Sequence, residues 1–126
     1  MNFLKGYVIN NQLQLDDNFV QIPEDKLKML KDNGYEGKEV VLGIRQEDIY
    51  DASSNPNYSN EFNIEIRVDV AELMGAETIV YGEVNGQNLV SRIDARTGIL
   101  AGSTMKLYFD MDNSHFFDID TELRIK

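Results

Sequence analysis

The stretch Asn63-Ile-Glu-Ile-Arg-Val-Asp-Val70 decides the fold, because apolar and charged residues alternate along it with a period of two. The aliphatic residues stand at the even positions, and Glu65, Arg67 and Asp69 separate them. Successive side chains of a strand point to opposite faces of a sheet. The pattern therefore predicts a strand with its aliphatic face in a core, up to Val70, and its charged face in water.

Further strands are predicted on both sides of this one. Thr78–Glu83 and Leu89–Ile93 form a hairpin around Asn85-Gly86, because that dipeptide tolerates the positive φ angles of a type I′ turn. Met105–Met111 repeats the alternation and predicts another strand. Shorter strands are predicted at Phe3–Ile9, Gln12–Leu15, Glu39–Ile44 and Leu123–Ile125.

One helix interrupts the strand pattern. Pro23 suits a first helical position and Gly34 a C-terminal stop, which predicts a helix of about Pro23 to Lys31. Many short strands with a single helix predict an all-β protein, mainly β with one short helix. The expected architecture is a closed or half-closed barrel, of which the OB-fold is the common small example.

The chain has the length of one domain, residues 1–126. Asp51–Asn60 is rich in turn-forming residues and is predicted to be a loop. The loop separates possible sub-parts, 1–60 and 61–126. Two sub-barrels that share a core fit this division, and so does one barrel with a long connection.

The composition excludes several classes of function. The chain has 22 acidic and 12 basic side chains, a formal net charge of −10. Such a field repels a phosphate backbone, so no nucleic-acid partner is expected. Cysteine is absent, which excludes disulfides, thiolate metal sites and cysteine nucleophiles.

Motifs of catalysis and metal binding are incomplete. Gly98–Thr104 lacks the lysine of a phosphate loop and is interpreted as a turn before a strand. Asp110–Ser114 resembles the start of a calcium loop, but His115 and Thr121 stand where glycine and glutamate belong. We interpret it as a solvated loop followed by a strand. His115, the only histidine, is expected to pack or cap, so no catalytic, cofactor-binding or metal-binding residue is predicted.

Three stretches in series resemble one family. Val41–Ile49, VLGIRQEDI, resembles the L-G-I-R-P-E-D/H-I segment in the regulatory domain of carbohydrate ABC-importer ATPases of the maltose and multiple-sugar type. Val70–Tyr81 resembles the E-x-L-G-x-E-T-x-x-Y segment of that family, and Asp110–Ile125 is similar to its closing F-D-x-x-x-x-H-x-F-D-x-x-T segment. Gln46 replaces the usual proline of the family, so the loop after Glu39–Ile44 is expected to be looser.

The opening Met1–Leu4 also resembles the M-N-F-L that follows the ATPase domain in this family. This resemblance implies that Met1 is an internal methionine of a longer protein. It also implies that an ATPase domain, with its ATP and Mg, lies upstream and is missing from this fragment. The fragment itself is then expected to hold no cofactor and to be no enzyme, whereas the full-length protein would be an ABC-transporter ATPase.

The same resemblance implies an OB-like TOBE barrel with a non-catalytic regulatory and dimerisation role. In the family, regulatory domains pair with each other and hold the two ATPase subunits together. The implied partners are a second copy of the domain, the transporter membrane subunits and, as in some relatives, a phosphotransferase-system regulator. The implied location is cytoplasmic and peripheral, at the inner face of the cell membrane.

The family motifs imply seven candidate contact positions for the dimer or another partner: Arg45, Glu47, Asp48, Glu72, Gly75, Glu77 and Thr78. Gly75 is expected to make a bulge or corner at the end of a strand. Glu72 and Glu77 flank it and are positioned to offer carboxylates to a partner's Arg45 across a two-fold interface. The alternative is an ion pair within the domain between Arg45 and Glu47.

A second hypothesis is a small-ligand-binding OB-like module for a sugar or an oxyanion. The acidic net charge disfavours an oxyanion, and the absence of tryptophan weakens the case for sugar stacking. Six tyrosines still offer aromatic platforms.

Overall fold

Ten strands form two five-stranded antiparallel sheets in the computed structural model of the chain, which describes all of residues 1–126. The strands are β1 (Asn2–Ile9), β2 (Gln12–Leu15), β3 (Asn18–Gln21), β4 (Glu39–Ile44), β5 (Ile49–Asp51), β6 (Asn63–Met74), β7 (Glu77–Val84), β8 (Gln87–Asp94), β9 (Thr104–Phe109) and β10 (His115–Asp118). The first sheet has the order β10-β4-β1-β2-β3 and the second the order β5-β9-β6-β7-β8. With one α-helix beside them, the predicted mainly-β class is confirmed.

Both sheets contribute to one apolar core of 24 buried residues. Leu4 and Leu42 enter it from the first sheet, and Ile64, Val80 and Leu107 from the second. Each of these residues lies on a strand in which buried and exposed positions alternate or nearly so. The period-two pattern in the sequence therefore identifies the core-facing side of most strands.

The two sheets exchange strands across the middle of the chain. β5 precedes residue 60 but pairs with β9 in the second sheet. β10 lies near the C-terminus but pairs with β4 in the first sheet, from His115 opposite Gly43 to Asp118 opposite Val40. The first sheet therefore contains one strand from after residue 60, and the second sheet contains one strand from before it. The division into sub-parts 1–60 and 61–126 stays a prediction.

The second sheet curls into a half-barrel. A β-bulge between Val68 and Val70 interrupts the pairing of β6 with β7, and bulges increase local twist. The two edge strands of this sheet, β5 and β8, lie close to each other. The Ser91 hydroxyl on β8 donates a hydrogen bond to the Ile49 carbonyl on β5 at 2.7 Å. The bulge also corrects one prediction. Val70, expected in the core, is 44% exposed because the extra residue moves it to the outer face.

The helix α1 spans Glu24–Asp32, close to the predicted bounds. Its end is a Schellman motif, in which Gly34 at φ 79° donates to the Lys31 carbonyl and Tyr35 donates to the Leu30 carbonyl. The Leu30 side chain is fully buried and attaches the helix to the core. The chain has no helix long and apolar enough to cross a membrane.

Three predictions about local structure need correction. Leu123–Ile125 is not a strand, because Glu122 has a φ of 63° and only a single bridge joins Arg124 to Phe117. The predicted loop Asp51–Asn60 begins with the last residue of β5 and contains the one-turn 3-10 helix Ala52–Ser54. β3 is absent from the predicted strands, because its two apolar residues, the exposed Phe19 and the buried Val20, are adjacent and interrupt the alternation.

Candidate partner interface

The β6–β7 hairpin carries exposed apolar side chains near its turn. Leu73 and Met74 are 55% and 59% exposed. Gly75 and Ala76 form the two-residue connection between Met74 and its pairing partner Glu77. Gly75 has a φ of 66° at the first central position, where a type II′ turn requires glycine. The glycine therefore reverses the chain in a hairpin, and the expected bulge lies six residues earlier, beside Asp69.

The outer face of β7 and β8 continues this apolar region. Its residues surround a shallow cleft of about 380 Å³. We call them the hairpin surface: Gln46, Met74, Glu77, Ile79, Tyr81, Val90 and Arg92. Glu72 pairs in register with Ile79, so it lies on the same face of the sheet. Two of the predicted contact residues, Glu72 and Glu77, are thus brought together with apolar neighbours.

One ion pair lies within the hairpin surface. Glu77 Oε2 is 3.7 Å from Arg92 Nε, and both side chains are about half exposed, at 50% and 46%. An exposed pair of this kind contributes only ~0–1 kcal/mol to folding. The surface therefore combines apolar side chains with one acid and one base that neutralise each other.

Arg45 and Glu47 flank Gln46 of the hairpin surface in the sequence and do not pair with each other. Arg45 is exposed and forms no ion pair in the chain, so the alternative of an Arg45–Glu47 pair is not observed. Glu47 lines a neighbouring cleft together with Tyr50 and Arg92. Both charges remain available to a partner.

Asp48, another predicted contact residue, forms hydrogen bonds within its own chain. Its backbone carbonyl accepts a hydrogen bond from Asp110 N at 2.9 Å, and its carboxylate accepts one from Asn113 Nδ2 at 3.3 Å. Asn113 Nδ2 also donates to the Asp110 carboxylate at 3.0 Å. The pKa of Asp110 is raised, first by burial and then by the charge of Asp112. No group of three or more histidine, aspartate or glutamate side chains is arranged to hold a metal ion.

Thr78 is the one predicted contact residue that the structure buries, at 1% exposure. Its hydroxyl accepts from Arg96 N at 2.9 Å and donates to the Arg96 carbonyl at 3.1 Å. Arg96 in turn reaches Asp51, with Nη1 2.8 Å from Oδ2. Burial raises the pKa of Asp51, but hydrogen bonds from Ser53 and Arg96 outweigh it and hold the pKa below its ordinary value. Thr78 therefore fixes the start of the β8–β9 loop, and its side chain does not face solvent.

The seven predicted contact positions do not include the apolar members of the hairpin surface. The sequence places Met74, Ile79 and Tyr81 in the stretch Val70–Tyr81 and Val90 in a predicted strand, without indicating that they face a partner. A signal is present, because Ile79 and Tyr81 alternate along β7 with the buried apolar residues Val80 and Val84. Apolar residues on both faces of a strand indicate a second packing partner.

Residues 1–49 match the family described as the MalK OB fold domain, and residues 59–116 match the TOBE domain. Together the two matches cover the chain apart from residues 50–58 and 117–126. The OB-fold part covers β1 to β4 with α1, and the TOBE part covers β6 to β9 and the start of β10. The predicted OB-like TOBE architecture is confirmed. The two families that cover the chain are not ATPase domains.

Similar proteins are ATP-binding proteins of ABC transporters. Over 126 residues the chain is 40% identical to the oligosaccharides import ATP-binding protein MsmX of Bacillus subtilis strain 168. It is 39% identical over 126 residues to the putative uncharacterized ABC transporter ATP-binding protein YcjV of Escherichia coli K12. It is 32% identical over 127 residues to the multiple sugar-binding transport ATP-binding protein MsmK of Streptococcus mutans. Each alignment covers all of this chain and 34% of the relative, so the chain spans about one third of the length of these relatives. The predicted resemblance to sugar-importer ATP-binding proteins is confirmed.

Proposed function

We propose that this chain is a non-catalytic regulatory and dimerisation domain of the ATP-binding subunit of a sugar importer. The observation that carries the proposal is the hairpin surface, where Met74, Ile79 and Tyr81 face outward beside the edge strand β8. Covering apolar area of this kind is the main source of free energy in association. A second copy of the same domain offers the same surface.

A two-fold contact suits the charges on this face. In such a contact each patch meets its own copy, so the Glu77 of one chain can face the partner's Arg92. Glu72 and Arg45 supply a second complementary pair, because Arg45 has no ion-pair partner in its own chain. Exposed pairs add little free energy, and their main effect is to fix the orientation of the two copies.

The proposal places the domain in a longer protein. The printed names of MsmX and MsmK support a role in oligosaccharide or multiple-sugar import. In that protein an ATPase domain would bind ATP with Mg and would contact the membrane subunits of the transporter at the cytoplasmic face of the membrane. A phosphotransferase-system regulator is a further proposed partner.

Sedimentation velocity over a concentration series tests the dimer. We expect the 14.4 kDa chain to approach twice its mass as its concentration rises. Met74→Asp and Ile79→Asp should keep it monomeric, because each places a charge in the buried centre of the contact. Phe3→Asp is the matched control, since Phe3 is 57% exposed on the first sheet, outside the hairpin surface. A monomer at every concentration, or a dimer that tolerates both hairpin substitutions, would contradict the proposal.

A further inference from the structure

His115 lies outside the hairpin surface, on the outer face of the first sheet. Phe116, the next residue along β10, is buried in the core, so the side chains of His115 and Phe117 project from the opposite face. Of the two ring nitrogens of His115, Nδ1 is buried without a hydrogen-bond partner. Nε2 is therefore the ring nitrogen that a ligand can reach.

Two arginines project from the same face, one on each side of His115. His115 pairs with Gly43, and Arg45 stands two residues further along an extended backbone, so Arg45 is a diagonal neighbour of His115. Arg124 bridges to Phe117 on the other side of β10 and is the second diagonal neighbour. Diagonal neighbours lie about 7–8 Å apart, which long side chains can span. The two guanidinium groups are thus placed to reach the histidine ring from both flanks.

A lysine of the helix α1 completes the group. The helix lies beside the C-terminal segment, because Asn33 Nδ2 donates to the Lys126 carbonyl at 3.1 Å. Burial is the first cause that lowers the pKa of His115, and the charges of the two arginines and of Lys26, in the first turn of α1, lower it further. Three positive charges from three separate segments therefore converge on one ring.

None of these three bases is neutralised within the chain. Lys26, Arg45 and Arg124 form no ion pair, although the chain has 22 acidic side chains and only 12 basic ones. The one acid of β10, Asp118, accepts hydrogen bonds from the Tyr35 hydroxyl and from two backbone N–H groups of the following turn. Because like charges repel one another, an anion placed among the three bases is favoured.

We propose that Lys26, Arg45, Arg124 and His115 Nε2 bind a small oxyanion of the phosphate type, with two negative charges. Arginine presents paired N–H groups to phosphate oxygens, and lysine adds a compact positive charge. A tetrahedral oxyanion directs its oxygens toward groups that arrive from several sides, whereas a carboxylate is planar and offers two oxygens. A proton on Nε2 lets the histidine donate a hydrogen bond as well.

This anion site is formed by one chain and does not require the proposed dimer. The net charge of −10 disfavours an oxyanion at long range, so binding relies on the close contacts of these four side chains. Only Arg45 is shared with the proposed interface, where it faces the partner's Glu72. A bound anion and the partner's Glu72 therefore compete for one side chain.

Proton NMR of the His115 ring, titrated with inorganic phosphate, tests the site. We expect saturable shifts of the ring signals and a higher pKa of His115, because a nearby anion favours the protonated ring. Sodium chloride at equal ionic strength is the reference, since salt alone screens the three positive charges. Methyl phosphate, titrated in the same way, distinguishes a phosphate ester from the free ion as the ligand.

Lysine variants of α1 provide a matched comparison. Lys26→Gln should weaken phosphate binding about three- to tenfold, because it removes one of the charges that contact the anion. Lys28→Gln makes the same charge change on the same helix, but Lys28 pairs with Asp32 and should not affect binding. Arg45→Gln and Arg124→Gln should each weaken binding as Lys26→Gln does.

Three results would overturn the anion assignment. Shifts with phosphate no larger than those with sodium chloride would show screening alone. Phosphate binding that survives both arginine substitutions would place the ion elsewhere. Equal losses in Lys26→Gln and Lys28→Gln would show a general effect of net charge. Met74→Asp should retain phosphate binding, so failure of the dimer and failure of the anion site are distinguishable.

Discussion

The side-chain amide of Asn2 pairs with both backbone groups of Val90, as a neighbouring strand would. Asn2 Nδ2 donates to the Val90 carbonyl at 2.7 Å, and Val90 N donates to Asn2 Oδ1 at 2.9 Å. Gln87 does the same for Lys5 in the opposite direction, with distances of 2.7 and 2.9 Å. Two amide side chains thus join the first sheet to the edge strand β8, and they satisfy backbone groups that no strand covers.

Asn2→Ala should destabilise the fold, because it removes two hydrogen bonds at a residue that is only 8% exposed. The expected loss in the free energy of unfolding is about 1–3 kcal/mol. Urea denaturation measures it. Asn88→Ala is the control, since Asn88 is exposed on β8 and forms no side-chain hydrogen bond. Equal stability of the two variants would show that the Asn2 amide does not join the sheets.

Gly82→Ala should destabilise the curled sheet more than Gly43→Ala. A methyl group on Gly82 would lie 2.6 Å from Ile66 Cδ1 and 2.8 Å from the Arg67 carbonyl oxygen, which belongs to the paired backbone of β6. We expect a loss of about 1–3 kcal/mol from this overpacking.

Gly43→Ala is the comparison, because a methyl group there would meet only side chains, whereas a methyl group on Gly82 would also meet the backbone of Arg67. A methyl group on Gly43 would meet the Phe117 ring at 2.7 Å and the Met1 sulfur at 3.0 Å. Both neighbours are side chains with access to solvent and can move aside. Thermal denaturation of the two variants decides the order, and a larger loss for Gly43→Ala would refute this explanation.

The sequence predicts the strands well where one face is buried and the other is solvated. The turn at Asn85-Gly86 is an example, with φ angles of 50° and 72° between β7 and β8 as predicted. The bulge after Val68 could not be predicted, because it depends on how β6 pairs with β7 and leaves no mark on the alternation. The pairing of β10 with β4 could not be predicted from the sequence either, because strands distant in the chain pair according to how they pack in the shared core.

The candidate interface is only partly accessible from sequence. The motifs located Glu72, Gly75 and Glu77 on one hairpin, but they could not distinguish the buried hydroxyl of Thr78 from an exposed one. A strand residue faces inward or outward according to its register, and the register is set by the neighbouring strands. The ion pair between Glu77 and Arg92 could not be predicted for the same reason. The two residues meet only because β7 pairs with β8.

Tyr35→Phe should raise the pKa of Asp118. The Tyr35 hydroxyl donates to Asp118 Oδ2 at 2.6 Å, and this bond is the largest cause that lowers the pKa of Asp118 to about 2. The backbone N–H groups of Thr121 and Asp120 also donate to this carboxylate and account for further lowering. In the variant the pKa should return toward its ordinary value near 3.8.

The sign of the pH dependence follows from that lowered pKa. Asp118 contributes stability that is complete above its unfolded pKa, near 3.8, and that is lost as the pH falls toward about 2. Carbon-13 NMR titration of the Asp118 carboxyl group measures the pKa directly. Tyr7→Phe is the control, because Tyr7 is exposed and does not contact Asp118. An unchanged pKa in Tyr35→Phe would contradict the assignment.

Arg124→Gln and Arg45→Gln should each raise the pKa of His115. Burial is the first cause that lowers this pKa, and the positive charges of Arg124, Lys26 and Arg45 lower it further. His115 Nδ1 is also buried without a hydrogen-bond partner, which disfavours the protonated ring.

Because the pKa of folded His115 lies below the ordinary 6.5, the unfolded chain binds the proton more readily. Stability from this residue is present above pH 6.5 and decreases as the pH falls through the folded pKa. The chain has a single histidine, so its ring signals in a proton NMR titration need no assignment. Lys28→Gln is the control, since Lys28 pairs with Asp32 and does not act on His115. A His115 pKa that is unchanged by both Arg124→Gln and Arg45→Gln would contradict the role of these charges.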